Sequence, residues 1–265
     1  MKQITFILIA LIGFQIQSFS QSYKIPDGVK KIVFLGNSIT YGGQYVSYIE
    51  AYLTVKYPED QIEIINVGLP SETVSGLSEP GHAGGNFPRP DLHERLERVL
   101  DQIKPDLIFA CYGMNDGIYK PFDDERFNKF REGIIRLHEQ VVNRGVSIIH
   151  VTPPIYDGKV EAYANVLDIY SDWLISLRYT SNWKVIDIHW PMRKYLEDKR
   201  EANSSFIYAE DGIHPNETGH YLMAKQILLP LGEKELAKAN NMKEALAAYH
   251  HGDMILQLVD KRQKS

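Results

Sequence analysis

Short apolar runs, each closed by a turn and followed by an amphipathic stretch, constrain this chain more than any other feature of it. Five such runs occur, at 31–35 (KIVFL), 62–67 (IEIINV), 106–111 (DLIFAC), 146–151 (VSIIHV) and 183–188 (WKVIDI). They are rich in β-branched and aromatic residues, and Gly36, Gly68, Gly113 and Pro153-Pro154 close four of them, which is the pattern of strands. Helical spacing recurs at 45–57, 91–103, 124–143, 160–177 and 217–228. Strands with nearly continuous apolar content are buried on both faces, so the alternation predicts a mostly parallel five-stranded sheet covered by helices on both sides. Ligands of such sheets meet the loops at the carboxyl ends of the strands. The loops after Leu35, Val67, Cys111, Val151 and Ile188 are therefore expected on one rim.

The two ends fall outside the alternation. Lys2, the almost wholly apolar stretch 4–16, and Ser18 and Ser20 just before Gln21 form the charge, core and small-residue exit of a secretory signal. Residues 1–20 are read as a cleaved signal peptide, 21–231 as one α/β domain, and 232–265 as a C-terminal helical extension. Leu246, Tyr249, Ile255, Leu256 and Val259 would lie on an apolar stripe of that extension. The mature protein is expected to be exported, periplasmic or secreted, with no membrane span after cleavage. A formal charge of −5 gives no electrostatic footprint for nucleic acid. A single cysteine, Cys111, excludes an internal disulfide framework and a multi-cysteine zinc site. It reads as a small buried side chain of the third strand. The histidines show no metal-ligand spacing.

Residues 69–90 form the one long connection without a periodic pattern, and they hold Pro70, Pro80, Gly81, Gly84, Gly85, Pro88 and Pro90. Long structureless loops in compact domains are uncommon and often functional. This one follows the second strand, so contact with a substrate is expected.

Four short segments stand at the ends of these elements: Gly36-Asn37-Ser38-Ile39-Thr40, Gly68, Gly113-Met114-Asn115-Asp116 and Asp211-Gly212-Ile213-His214-Pro215. Singly each reads as a cap or a turn. In this order the blocks GNSIT, NVGLPS, GMND and DGIHP resemble the SGNH hydrolases, also called the GDSL esterase/lipase superfamily. The resemblance spans 36–215 and implies a flavodoxin-like three-layer α/β/α sandwich and no metal or organic cofactor. It implies Ser38 as nucleophile, with Asp211 and His214 as acid and base. It also implies an oxyanion hole of the Ser38 N–H, the Gly68 N–H and the Asn115 side-chain amide. The family's first block usually reads Gly-Asp-Ser, whereas Asn37 removes one negative charge beside the nucleophile.

These residue types suit acyl transfer for physical reasons. A serine hydroxyl needs a base in hydrogen-bond reach, and an imidazole titrates in the right range to be one. A carboxylate on the other ring nitrogen fixes the tautomer. Donors aimed at the carbonyl oxygen act as negative charge develops there. Tyr41, Tyr119 and Trp190 near the rim, and His82 and Arg89 in the long loop, are further candidates for substrate contact, each also readable as packing or a solvated loop charge. Asp116 is expected to orient the turn that carries Asn115. The expected activity is removal of short acyl groups, acetyl foremost, from a carbohydrate partner. The alternatives are a lipase, lysophospholipase or thioesterase of the same superfamily, or an inactive carbohydrate-binding module.

Overall fold

A computed structural model describes residues 22–263. The expected signal peptide lies outside the described residues. The expected strands form as β1 (Lys31–Gly36), β2 (Glu63–Asn66), β3 (Leu107–Cys111), β4 (Ser147–Val151) and β5 (Val185–Ile186). They build one sheet in the order β2-β1-β3-β4-β5, with every pairing parallel. Helices cover it in a three-layer α/β/α sandwich. The strand residues are almost entirely buried, as in Val33, Leu35, Leu107, Ile108 and Ile149, which is why their sequences are continuously apolar.

The topology positions the rim. From β1 the chain moves outward to β2, then crosses to β3 on the other side of β1. Loops that leave β1 and β3 therefore diverge and open a crevice at the switch point. The register is level there: Gly36 pairs with Cys111, and Cys111 with Val151. Leu69 N–H donates to Gly36 O at 2.9 Å, so the start of the long loop is held against the end of β1.

The helices are α1 (Ser38–Gly42), α2 (Gln44–Lys56), α3 (Leu96–Ile103), α4 (Asp124–Val142), α5 (Glu161–Thr180), α6 (His189–Ala202) and α7 (Glu217–Leu228). Two more follow, α8 (Met242–Leu246) and α9 (Gly252–Gln263). Asp123 and Asn216 cap α4 and α7 by accepting the N–H groups of Arg126 and Gly219, as short acceptor side chains do at helix starts.

Four departures from the sequence reading have local causes. The fifth strand shrinks to two residues because the chain turns at once into α6: the N–H groups of Ile188 and His189 donate to the Thr152 side chain, Oγ1, at 2.9 and 3.0 Å. The helix expected over 91–103 is split, because Asp91 caps a separate turn at Leu92–Glu94 before α3 starts. The helix α6, unforeseen in the sequence, continues directly from the end of β5. The C-terminal extension is not one helix but a turn at Lys234–Lys238, then α8, then α9. It breaks at His251, where φ is +61°. Leu246 and Val259 of the expected stripe are nonetheless buried. α9 packs along α2, and Arg262 donates to both Glu50 carboxylate oxygens at 2.6 Å. Among the described residues no helix is long and apolar enough to cross a membrane.

Candidate active site

Ser38 is the first residue of α1, directly beyond β1. The preceding residue, Asn37, is buried, and its side-chain oxygen accepts the Ile39 N–H at 3.2 Å. The amide that stands where the family usually has aspartate thus caps the turn that presents Ser38. Across the crevice, Asp211 Oδ1 accepts the N–H groups of Ile213 and His214, both at 2.8 Å. These bonds curl 211–214 into a tight loop. Gly212 is needed in it: φ is +77°, and a Cβ there would lie 2.2 Å from Gly158 Cα.

Within that loop Asp211 Oδ2 lies 2.6 Å from His214 Nδ1, and His214 Nε2 lies 2.8 Å from Ser38 Oγ. The serine and the histidine are 176 positions apart in the chain. Desolvation would raise the Asp211 carboxyl, but the bonds from the His214 ring, the His214 N–H and the Ile213 N–H outweigh it and leave it at about 2. An ionised carboxylate only accepts. His214 Nδ1 therefore carries the proton, and Nε2 is the acceptor facing the Ser38 hydroxyl. Both side chains stay open to water, with His214 49% and Asp211 52% exposed.

The other two blocks meet the surrounding turns in different ways. Gly68 packs on the turn that carries Ser38 so closely that a Cβ would lie 2.2 Å from the Tyr41 backbone nitrogen. Its N–H, however, donates to Asn66 Oδ1 at 2.9 Å, while Asn66 Nδ2 donates to Thr40 O at 2.7 Å. The expected oxyanion donor is already engaged within its own turn, so Gly68 contributes space rather than a free donor. Ser71, three residues on, holds a left-handed φ of +65°, and its N–H makes no backbone hydrogen bond among the described residues. Asn115 follows β3, its Nδ2 donating to Glu72 O at 3.1 Å and its Oδ1 accepting from the Tyr119 hydroxyl at 2.9 Å. One hydrogen of that amide is left over.

A buried network behind these turns escaped sequence reasoning. The Glu72 side chain is fully buried, takes a bidentate pair from Arg95 at 2.5 and 2.7 Å, and accepts the Tyr112 hydroxyl at 2.6 Å. Desolvation raises its carboxyl despite these partners. Arg95 also donates to Val67 O at 2.8 Å, which ties α3's leading edge to the Gly68 turn. Asp116, expected to orient its turn, accepts the N–H groups of Gly113, Val74 and Ser75 at 2.8–2.9 Å. It thereby staples the long loop to the turn after β3. No local signal marks Glu72 or Arg95, because their pairing exists only once the loop has closed.

The remaining candidates divide. Tyr41 is strongly exposed one helical turn from Ser38. Arg89 is buried and bidentate with Glu79 at 2.8 and 2.7 Å, its guanidinium 5.5 Å from the Tyr119 ring centre. It braces the base of the long loop. His82 lies on the loop tip, edge-on to the exposed Phe87 ring. Trp190 is held by the Asp172 carboxylate at 2.8 Å and lies under Arg193. Cys111 is buried, and desolvation raises its thiol to about 12.

The model of the GDSL-like lipase/acylhydrolase family matches residues 34–222. An acetylxylan esterase of Geobacillus stearothermophilus is 24% identical over 233 residues, covering 79% of this chain and 96% of its own. Its crystal structure superposes with a TM-score of 0.62, covering 79% of this chain and 97% of that one. Solved catalytic mutants of that esterase replace a serine, an aspartate and a histidine, the latter two three positions apart. A gut microbial diltiazem-metabolizing enzyme superposes with a TM-score of 0.64 at 23% identity, and this chain, of which 80% is covered, spans about half (49%) of it. An α/β hydrolase from the metagenome of Lake Arreo, Spain, gives a TM-score of 0.61 at 22% identity, covering 78% of this chain and 97% of that one.

Proposed function

The chain belongs to the GDSL-like lipase/acylhydrolase family and is a carboxylic ester hydrolase; from that premise we propose that it is an exported serine esterase that removes acetyl groups from a carbohydrate. The observation that carries the mechanism is the unbroken hydrogen-bond chain Asp211–His214–Ser38. In the proposed reaction Ser38 Oγ attacks the ester carbonyl while His214 Nε2 takes its proton. The carbonyl oxygen becomes negative and is met by the Ser38 N–H and the free Asn115 amide hydrogen. Collapse of the intermediate breaks the ester C–O bond, and the leaving alcohol takes the proton from His214. Water, deprotonated by the same ring, then attacks the acyl-enzyme and releases acetate and Ser38. Asp211 stays ionised throughout, so the imidazolium always has a counter-charge.

The acetylated-carbohydrate part draws on two facts. A relative covering most of this chain is an acetylxylan esterase. The half-exposed His214 and Asp211 leave room for a bulky polar alcohol to depart. Export draws on the first twenty residues of the sequence. The test pairs the mature protein with Ser38→Ala on p-nitrophenyl acetate, then scores acetate release from a panel of acetylated polysaccharides. Ser38→Ala is expected to lower kcat by about 10⁴-fold or more. Equal rates in the two proteins would remove Ser38 as nucleophile, and a rate that rises with acyl length beyond about six carbons would replace the acetyl reading with a lipase.

A further inference from the structure

We propose that Tyr119 is a positioning residue that sets the orientation of the Asn115 amide at the oxyanion, acting through its hydroxyl; the proposal rests on the esterase reading above. A carboxamide has two ends of nearly equal size and opposite polarity, and only its partners decide which end faces where. Glu72 O can only accept, so the Asn115 nitrogen must face it, and it does so at 3.1 Å. The Tyr119 hydroxyl, 2.9 Å from Asn115 Oδ1, donates to the other end. Together the two partners pin the amide, and its second hydrogen remains unspent.

The backbone that supplies this hydroxyl is held in an unusual shape. Ile118 and Tyr119 both take left-handed conformations, with φ of +48° and +55°. Consecutive side-chain-bearing residues persist there only where the surroundings over-determine them, and such outliers cluster at functional sites. The surroundings are on hand. The Tyr119 ring lies 4.9 Å from that of Tyr163 and 6.1 Å from that of Tyr156, and the Arg89 guanidinium stands over it. Tyr163 in turn donates to Met114 O at 2.8 Å and accepts the Gly117 N–H at 3.1 Å, clamping both sides of Asn115. Glycine would relieve the backbone at 119 but would remove the hydroxyl. Burial keeps that hydroxyl protonated by pushing its pKa up, so it remains a donor at the pH values of an ordinary assay.

Tyr119→Phe deletes one oxygen and leaves the ring in place. It is expected to lower kcat by about 3- to 10-fold, the size of one net hydrogen bond, with little change in KM and in melting temperature. In an Asn115→Ala background the same change should add nothing further, because Tyr119 acts through that amide. An unchanged kcat in Tyr119→Phe, or an equal loss in both backgrounds, overturns the proposal. A readout independent of turnover is the Asn115 side-chain amide resonance pair in ¹⁵N NMR, which should shift or broaden in Tyr119→Phe. An unmoved pair overturns the proposal even if the wild-type protein hydrolyses nothing. Loss of esterase activity in the wild type with a moving amide pair would instead sink the esterase reading alone.

Discussion

Asp211 and Asp116 accept nearly the same number of hydrogen bonds and end in opposite states. Asp211 takes two backbone N–H groups and an imidazole, is half exposed, and is held down at about 2. Asp116 takes three backbone N–H groups, is wholly buried, and is pushed up to about 6. Desolvation is the first cause in both, but only at Asp116 does it win over the donors. Water access therefore separates the roles. The carboxylate that pairs with the His214 ring is left at the surface. The one that joins two loops is sealed inside, where its charge costs stability and its geometry gains it.

Of the two carboxylates, the larger effect on activity should come from Asp211→Asn. The amide can keep the Ile213 and His214 N–H bonds through its oxygen, so the loop survives. Its nitrogen would then face His214 Nδ1 as a donor and force the proton onto Nε2, which leaves Ser38 without an acceptor. A fall in kcat of about 10³- to 10⁴-fold is expected with an unchanged melting temperature. A fall below tenfold in steady-state kinetics would show that Asp211 is not the orienting carboxylate.

Asp116→Ala should invert that pattern. Three backbone N–H groups, two of them buried, lose their acceptor, each buried one at about 1–3 kcal/mol, partly offset by relief of the buried charge. A net destabilisation of about 3–5 kcal/mol in urea unfolding is expected. Activity should fall through misplacement of the turn carrying Asn115. A loss under about 1 kcal/mol would mean the staple between 73–75 and 113–116 is dispensable.

The same contrast explains what the sequence could reveal. The strands were legible because burial on both faces writes continuous apolar strings such as VFL and LIF. Ser38, Asp211 and His214 were legible as motifs because their turns are local: Asn37 caps its own helix start, and Asp211 reaches the N–H groups two and three residues ahead. What joins distant segments left no local mark. Glu72, Arg95 and Tyr112 meet only after the long loop folds back over the third strand. Gly68 was visible as a glycine, but the diversion of its N–H to Asn66 depends on a turn geometry that spacing does not encode. The break before α9 was hidden for a related reason, since an apolar stripe runs on through a left-handed residue such as His251 without interruption.

The smallest effect is the pH dependence of the Asp116 contribution, and its sign is opposite to that of a surface carboxylate. The folded value near 6 lies above the ordinary 3.8, so the folded protein binds a proton there more tightly than the unfolded chain does. The contribution is full below about 3.8 and is lost as pH rises through 6. Acidification from pH 7 to 4 should therefore raise the stability owed to this residue, by at most about 3 kcal/mol at 1.36 kcal/mol per pKa unit. Subtracting the unfolding free energy of Asp116→Asn from that of the wild type at each pH isolates it, because most other carboxylates cancel. A difference that falls between pH 7 and 4, as it would for a group like Asp211, would mean that the three N–H donors outweigh burial at Asp116 after all.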